Sequence, residues 1–283
     1  MNIKKILAGI DLEEDSERVL AYVSLFADVF GASLSLIYVI DYFVTPPAYL
    51  TPYIEKEKKA AMEKLAALGA KMSEAGFHAD SEVAVGRLRD SFEAAVKKRN
   101  ADMLALGFMS HALRRSSSEK LIKGLGTPVL VVKGRKADGA NIGSVKMRKI
   151  LCPVDFSEIS RKALNAAMGL ADAFSAKLNV IYVSPDYLIR KMRIEEERDK
   201  AAKALRERAE DKLDDFLRGF ILKETGRVEE GEPASAIVSF AEREDVDLIV
   251  MGARGLGFIQ GMLIGSVTDA VLKSSSCPVF VIR

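Results

Sequence analysis

Lys4-Lys5-Ile6-Leu7-Ala8-Gly9-Ile10-Asp11 and Arg148-Lys149-Ile150-Leu151-Cys152-Pro153-Val154-Asp155 are the stretches that decide the fold. Each opens on two basic residues, runs through apolar ones and stops at an aspartate. Two further pairs follow in the same order and at nearly the same offset. Ala101-Asp102-Met103-Leu104-Ala105-Leu106-Gly107 matches Val246-Asp247-Leu248-Ile249-Val250-Met251-Gly252. Thr127-Pro128-Val129-Leu130-Val131-Val132 matches Cys277-Pro278-Val279-Phe280-Val281-Ile282. Three matches in step make the chain a tandem repeat, which governs every later assignment. The repeats are assigned to 1–135 and 148–283. Residues 136–147, small, polar and aperiodic over Lys136 to Ser144, are read as the linker.

Within each repeat, short unbroken apolar runs alternate with longer helical patterns. Unbroken apolarity is what strands buried on both faces require, so a parallel sheet follows. The second repeat is expected to have strands near 149–154, 178–183, 226–230, 247–251 and 278–282, and helices near 157–174, 191–219, 233–244 and 266–274. Ser157 with Glu158, and Pro233 at the first helical position, mark two of the helix starts. A β-α order of this kind with right-handed crossovers gives an α/β fold, here two tandem doubly wound, five-stranded parallel-sheet domains of the Rossmann-like type.

Composition narrows the function classes. At 283 residues with 49% apolar and 29% charged side chains, the chain has the profile of two globular domains. A formal charge of +2, with acidic and basic residues interleaved, leaves no electrostatic footprint of a nucleic-acid binder. No apolar run reaches the ~18 residues of a membrane span, and the first residues lead straight into a strand, so a cytoplasmic location is expected. Cys152 and Cys277, assigned to different strand regions, are expected as free thiols, and His78 and His111 lack the neighbours that a metal or catalytic role needs.

In a doubly wound sheet a ligand sits beyond the carboxyl ends of the strands, where the strand order reverses, so the residues after the first and fourth strands carry the information. After Met251 the second repeat reads Gly252-Ala253-Arg254-Gly255-Leu256-Gly257-Phe258-Ile259-Gln260-Gly261-Met262-Leu263-Ile264-Gly265-Ser266. Glycines let phosphate oxygens approach backbone N–H groups, and Gly265-Ser266 opens a helix whose first N–H groups point at an anion. The alternative is that the glycines only let a long loop turn, with Ser266 an ordinary N-cap; spacing alone does not separate the two. Asp155 likewise reads either as a nucleotide contact or as a turn carboxylate. The chain has no Gly-x-x-x-x-Gly-Lys-Ser/Thr run, and its glycines follow the fourth strand, so it carries neither a P-loop nor a dinucleotide fingerprint.

These residues resemble the universal stress protein family, whose nucleotide-binding members carry Gly-x2-Gly-x9-Gly-Ser/Thr after the fourth strand. Gly252, Gly255, Gly265 and Ser266 match that motif, and Pro153-Val154-Asp155-Phe156-Ser157 is similar to the family's opening motif. The resemblance implies an adenine nucleotide, ATP or AMP. Pro153, Asp155 and Val183 would line its adenine and ribose side and Gly252, Gly255, Gly265 and Ser266 would hold its phosphates, with Val154, Met251, Arg254 and Val267 as further binding residues. It also allows a Mg²⁺ ion carried on the phosphates. Single-repeat members dimerise through their final strand, which implies an intramolecular pseudo-dimer of the two repeats, with a homodimer of the whole chain as a further option.

The first repeat has lost the loop. It reads Gly107-Phe108-Met109-Ser110-His111-Ala112-Leu113-Arg114-Arg115-Ser116, about five residues shorter by alignment, with Arg115 opposite Gly265 and Gly9 opposite Pro153. The expectation is therefore a stress or signalling protein binding one adenine nucleotide in its C-terminal repeat, with a structural or regulatory N-terminal repeat and no dedicated catalytic centre. Two other readings stand beside it: a weak ATPase or phosphotransferase, and a nucleotide-free module for a protein or lipid-like ligand.

Overall fold

The computed structural model describes residues 1–13, 15–42, 50–107, 125–133, 139–184, 195–222, 225–254 and 264–283. They fall into two compact units, Asn2–Lys146 and Met147–Arg283.

In the first unit the elements run β1 (Lys5–Gly9), α1 (Asp15–Phe30), β2 (Ser33–Asp41), α2 (Thr51–Glu74), β3 (Ala79–Gly86), α3 (Leu88–Arg99), β4 (Met103–Gly107) and β5 (Val129–Val132). Its strands lie in the order β3-β2-β1-β4-β5, and every pairing is parallel. The second unit runs β6 (Lys149–Val154), α4 (Glu158–Phe174), β7 (Lys177–Ser184), α5 (Glu195–Leu217), β8 (Arg227–Glu230), α6 (Pro233–Arg243), β9 (Leu248–Gly252), α7 (Ser266–Ser274) and β10 (Val279–Ile282). Its order, β8-β7-β6-β9-β10, repeats the plan with all pairs parallel. The α/β fold read from the sequence is the fold observed. The expected element positions of the second repeat agree to within a few residues; the long helix is described from 195 and ends at Leu217.

The central strands are buried along their length: Ile150, Leu151, Cys152, Leu248, Ile249 and Val250 have no exposed surface, as strands covered on both faces require. Helix α4 turns Ala163, Leu164, Ala167 and Leu170 to that sheet, in the i, i+1, i+4, i+7 spacing of an apolar stripe. Its N-cap is Ser157, whose side chain accepts a hydrogen bond from the Ser160 N–H, and α6 starts with Pro233 after a Glu232 cap.

The repeated aspartate before the fourth strand has a structural purpose. Asp102 Oδ2 accepts the N–H groups of Lys4 and Lys5 at 2.8 and 2.9 Å. Asp247 Oδ2 does the same for Arg148 and Lys149 at 2.8 and 3.0 Å. Both clamps sit at the amino ends of the central strands, away from the ends where a ligand would lie. Cys152 and Cys277 are buried free thiols, and burial pushes the Cys152 thiol up, so it stays protonated and inert.

Candidate functional site

The strand order of the second unit reverses between β6 and β9, and there the two ladders of the chain differ. In the first unit β1 pairs with β4 from Ile6↔Met103 through Gly9↔Leu106. In the second, β6 pairs with β9 only at Ile150↔Leu248 and Leu151↔Ile249. Pairing stops two residues short of Pro153, which stands where the first unit has Gly9. Proline has no N–H to give a neighbouring strand, so it ends a ladder that Gly9 continues. Backbone pairing of the central strands therefore ends before their carboxyl ends in the second unit alone.

The equivalent space in the first unit is filled. A Cβ built on Gly9 would stand 2.5 Å from Leu106 Cδ2 and 2.7 Å from Phe92 Cζ, so a proline does not fit there without moving that core.

Around the end of this ladder the fold gathers most of the residues singled out from the sequence. Pro153 and Val154 end β6 and are buried, and Asp155 follows, half-buried. Val183 is buried near the end of β7, the parallel neighbour of β6. Met251 and Gly252 end β9, and Arg254 is half-buried two residues on. Gly255 lies outside the described residues, as do Arg114, Arg115 and Ser116 of the first repeat. Gly265, Ser266 and Val267 form the start of α7, with Gly265 as N-cap in extended conformation and Ser266 exposed. Ser266 is thus the first helical residue, and the reading that made it an ordinary N-cap does not hold.

Helix α7 is held against the end of β9 by two hydrogen bonds. The Gly265 N–H donates to the Ala253 carbonyl at 2.8 Å, and the buried Thr268 hydroxyl donates to the Gly252 carbonyl at 2.8 Å. Thr268 was missed by sequence reasoning, because a threonine in a first helical turn carries no signal of its partner. Among the described residues no side chain caps α7, whereas Ser157 caps α4 and Glu232 caps α6 through the N–H groups of Ala234 and Ser235. The first-turn N–H groups of α7 are left to meet solvent or an anion, with the positive end of the helix behind them. Cationic charge gathers on the same side. Burial and the neighbouring Arg254 hold the Arg283 guanidinium down to about 10.

Asp155 is bound into a turn. Its Oδ1 accepts the Ser157 N–H at 3.1 Å and the Ser157 hydroxyl at 2.6 Å, and Asp11 Oδ1 accepts the Glu13 N–H and the Ser16 hydroxyl at 2.9 and 2.8 Å. The turn carboxylate reading is therefore correct in both repeats, and it leaves a ligand contact by Asp155 untouched. The residue after each aspartate is left-handed, Leu12 at φ 62° and Phe156 at φ 67°. That conformation costs a non-glycine residue roughly 1–2 kcal/mol. In the second unit ring packing offsets it, with Phe156 4.4 Å from Tyr182 and 5.5 Å from Phe216 between ring centroids. Arg161 lies 4.5 Å over Phe216 and closes the corner between α4 and α5. The corresponding corner of the first unit is an open groove of about 530 Å³ between α1 and α2, bordered by Leu12, Leu68 and the Lys71–Glu17 ion pair.

Among the described residues, no group of three or more His, Cys, Asp or Glu side chains could hold a metal ion, and no helix is long and apolar enough to cross a membrane.

Comparison with known proteins agrees with this architecture. A universal stress protein of Methanocaldococcus jannaschii is 34% identical over 148 residues, which is 48% of this chain and 82% of that one. One from Bacillus subtilis is 31% identical over 153 residues, 48% of this chain and 98% of that one. The crystal structure of a universal stress protein from Archaeoglobus fulgidus superposes with a TM-score of 0.73 at 23% identity, covering 100% of this chain and 97% of that one, which speaks for the fold. The sequence model of the universal stress protein family matches twice, over residues 2–133 and 146–283, and the chain therefore belongs to the universal stress protein family, with one family domain in each repeat.

Proposed function

We propose that the protein binds one adenine nucleotide, ATP or AMP, at the carboxyl edge of the second unit and acts as a nucleotide-dependent stress or signalling protein. The observation that carries this reading is the early end of the β6–β9 ladder at Pro153, which leaves the carboxyl ends of these strands without mutual backbone pairing where the strand order reverses, while Phe92 and Leu106 crowd Gly9 at the same place in the other unit. An open α/β sheet takes its ligand in such a crevice.

The phosphates are assigned to the uncapped start of α7, with Gly252, Gly255, Gly265, Ser266 and Val267 supplying backbone and hydroxyl donors and Arg254 a positive charge. Pro153, Val154, Asp155, Val183 and Met251 are assigned to the base and sugar. A Mg²⁺ ion, where present, would ride on the phosphates. The first unit serves as structural or regulatory partner, and two family domains in one chain supply an intramolecular pair.

Titration calorimetry of the full chain with ATP and AMP tests the reading, together with mass spectrometry of small molecules released from purified protein. Uptake of either nucleotide that is lost in Asp155→Ala or Gly265→Arg supports it; a chain that takes up neither and shows no rise in melting temperature with them overturns it. Single-turnover hydrolysis compared between wild type and Asp155→Ala separates binding from weak ATPase activity, since binding alone leaves no turnover to lose.

A further inference from the structure

Helix α2 turns Ala61, Leu65 and Met72 into the first unit. Beside that buried face Tyr53, Glu57, Ala60, Lys64, Ala67 and Lys71 recur every three or four residues, which is the spacing of one stripe along a helix. All six are exposed, Tyr53 to 70%. The far half of the stripe, Lys64, Ala67 and Lys71, borders the open groove of about 530 Å³, with Leu12 and Leu68 as its larger apolar walls.

The second unit shows what fills such a corner. Phe156 and Phe220 flank Phe216 at 5.5 and 5.7 Å, and the Arg161 guanidinium lies 4.5 and 5.3 Å over Phe216 and Phe220. In the first unit Leu12 stands in place of Phe156 and Glu17 in place of Arg161, and Glu17 is drawn to Lys71 at 2.6 Å. None of the residues lining the groove is aromatic. The exposed ring on the same stripe is Tyr53, but it lies about three helical turns before Lys64 and cannot reach the groove of its own chain.

A second copy brings it there. Glu57 and Lys64, and likewise Tyr53 and Leu68, are centred on one point of the helix, between Ala60 and Ala61. When two α2 helices run antiparallel across a two-fold axis at that point, Glu57 of each copy meets Lys64 of the other, and Tyr53 of each enters the groove beside Leu68 of the other. Ala60, small and exposed, lies at the axis and lets the helices approach closely. The charges are not otherwise engaged: among the described residues neither Glu57 nor Lys64 forms an ion pair, and Glu57 accepts a long hydrogen bond, 3.4 Å, from the Tyr42 hydroxyl. We propose that this face of α2 joins two copies of the chain in an isologous dimer, held by two Glu57–Lys64 pairs and two inserted Tyr53 rings. The surface uses residues of the first unit alone and does not rest on the nucleotide reading.

The test is sedimentation velocity of the full chain over a series of micromolar concentrations, for wild type, Lys64→Glu, Tyr53→Ser and the double variant Glu57→Lys with Lys64→Glu. The expected result is a concentration-dependent dimer for the wild type. Lys64→Glu should weaken it roughly tenfold or more, because it sets like charges against each other twice across the axis, and Tyr53→Ser should weaken it comparably. The double variant should regain the dimer, since the exchanged charges are again complementary. Thermal melts at low concentration should match the wild type, because all three positions are exposed. A wild type that stays monomeric throughout the series overturns the proposal. So does a dimer indifferent to Lys64→Glu or to Tyr53→Ser, which places the interface elsewhere, and so does a double variant that associates no better than Lys64→Glu, which refutes the antiparallel register.

Discussion

Gly252 and Ile159 touch so closely that a Cβ on the glycine would stand 2.6 Å from Ile159 Cγ2 and 3.4 Å from the Ile159 carbonyl carbon. The end of β9 thus lies directly against the first turn of α4, and the first glycine of the loop is required by packing, whatever else it does. Gly252→Ala is expected to destabilise the protein by about 1–3 kcal/mol through overpacking. Trimming the partner, in Gly252→Ala with Ile159→Ala, should recover much of that loss beyond what the single variants add up to. Urea unfolding of the four proteins measures the coupling, and strictly additive effects would refute the contact.

Gly265→Arg should abolish nucleotide binding and leave the fold alone. Gly265 is the N-cap of α7 with ordinary extended backbone at φ −71°, so an arginine meets no conformational penalty there. Its side chain occupies the space assigned to a phosphate. The expected result is no detectable heat of binding, with a melting curve within about 0.5 kcal/mol of wild type. Wild-type affinity in this variant would move the phosphates elsewhere.

The stoichiometry should be one nucleotide per chain. In the first unit β1 stays paired with β4 to Gly9, Phe92 and Leu106 occupy the space beside that glycine, and Arg115 replaces the glycine of the loop. Hydrogen bonds to charged groups contribute roughly 1.5–3 kcal/mol each, so losing two or three weakens binding by several powers of ten. Arg115→Gly alone should create no second site, because the shortened loop still cannot surround the phosphates. A calorimetric stoichiometry of two equal sites would overturn the asymmetry.

Thr268→Val removes the side-chain anchor of α7 to β9, the 2.8 Å bond to the Gly252 carbonyl, and keeps the side-chain volume. The carbonyl left behind is buried, so the expected cost is about 1–3 kcal/mol in unfolding experiments. Nucleotide affinity should fall as well, since the helix start is no longer fixed. A variant with wild-type stability would show that α7 is held by its apolar face alone.

Acid should loosen the start of α6. The Glu232 carboxylate is held below its ordinary value near 4.5, chiefly by the Ser235 N–H it accepts. A group lowered on folding stabilises fully above its unfolded value and loses that contribution as pH falls through the folded one. Glu232→Gln should therefore flatten part of the decline in melting temperature below the ordinary glutamate range while changing little at neutral pH. An identical acid limb in wild type and variant would show that the cap does not contribute.

The repeat, the α/β class, the element order of the second unit and the glycines after β9 were all legible in the amino-acid sequence. They are local or periodic properties: unbroken apolar runs, a serine and a proline at helix starts, and matching blocks such as those ending in Asp11 and Asp155. What the repeated residues do was decided by partners distant in sequence. Asp247 acquires its partners only when the fold brings the N–H groups of Arg148 and Lys149 to it, 99 and 98 residues away. Gly252 reads as a phosphate glycine until α4 presses Ile159 against it. Gly9 and Pro153 could be aligned from sequence, but only strand pairing turns that difference into a ladder that runs on in one unit and ends early in the other, because the effect of a missing N–H depends on the neighbouring strand that would have accepted it.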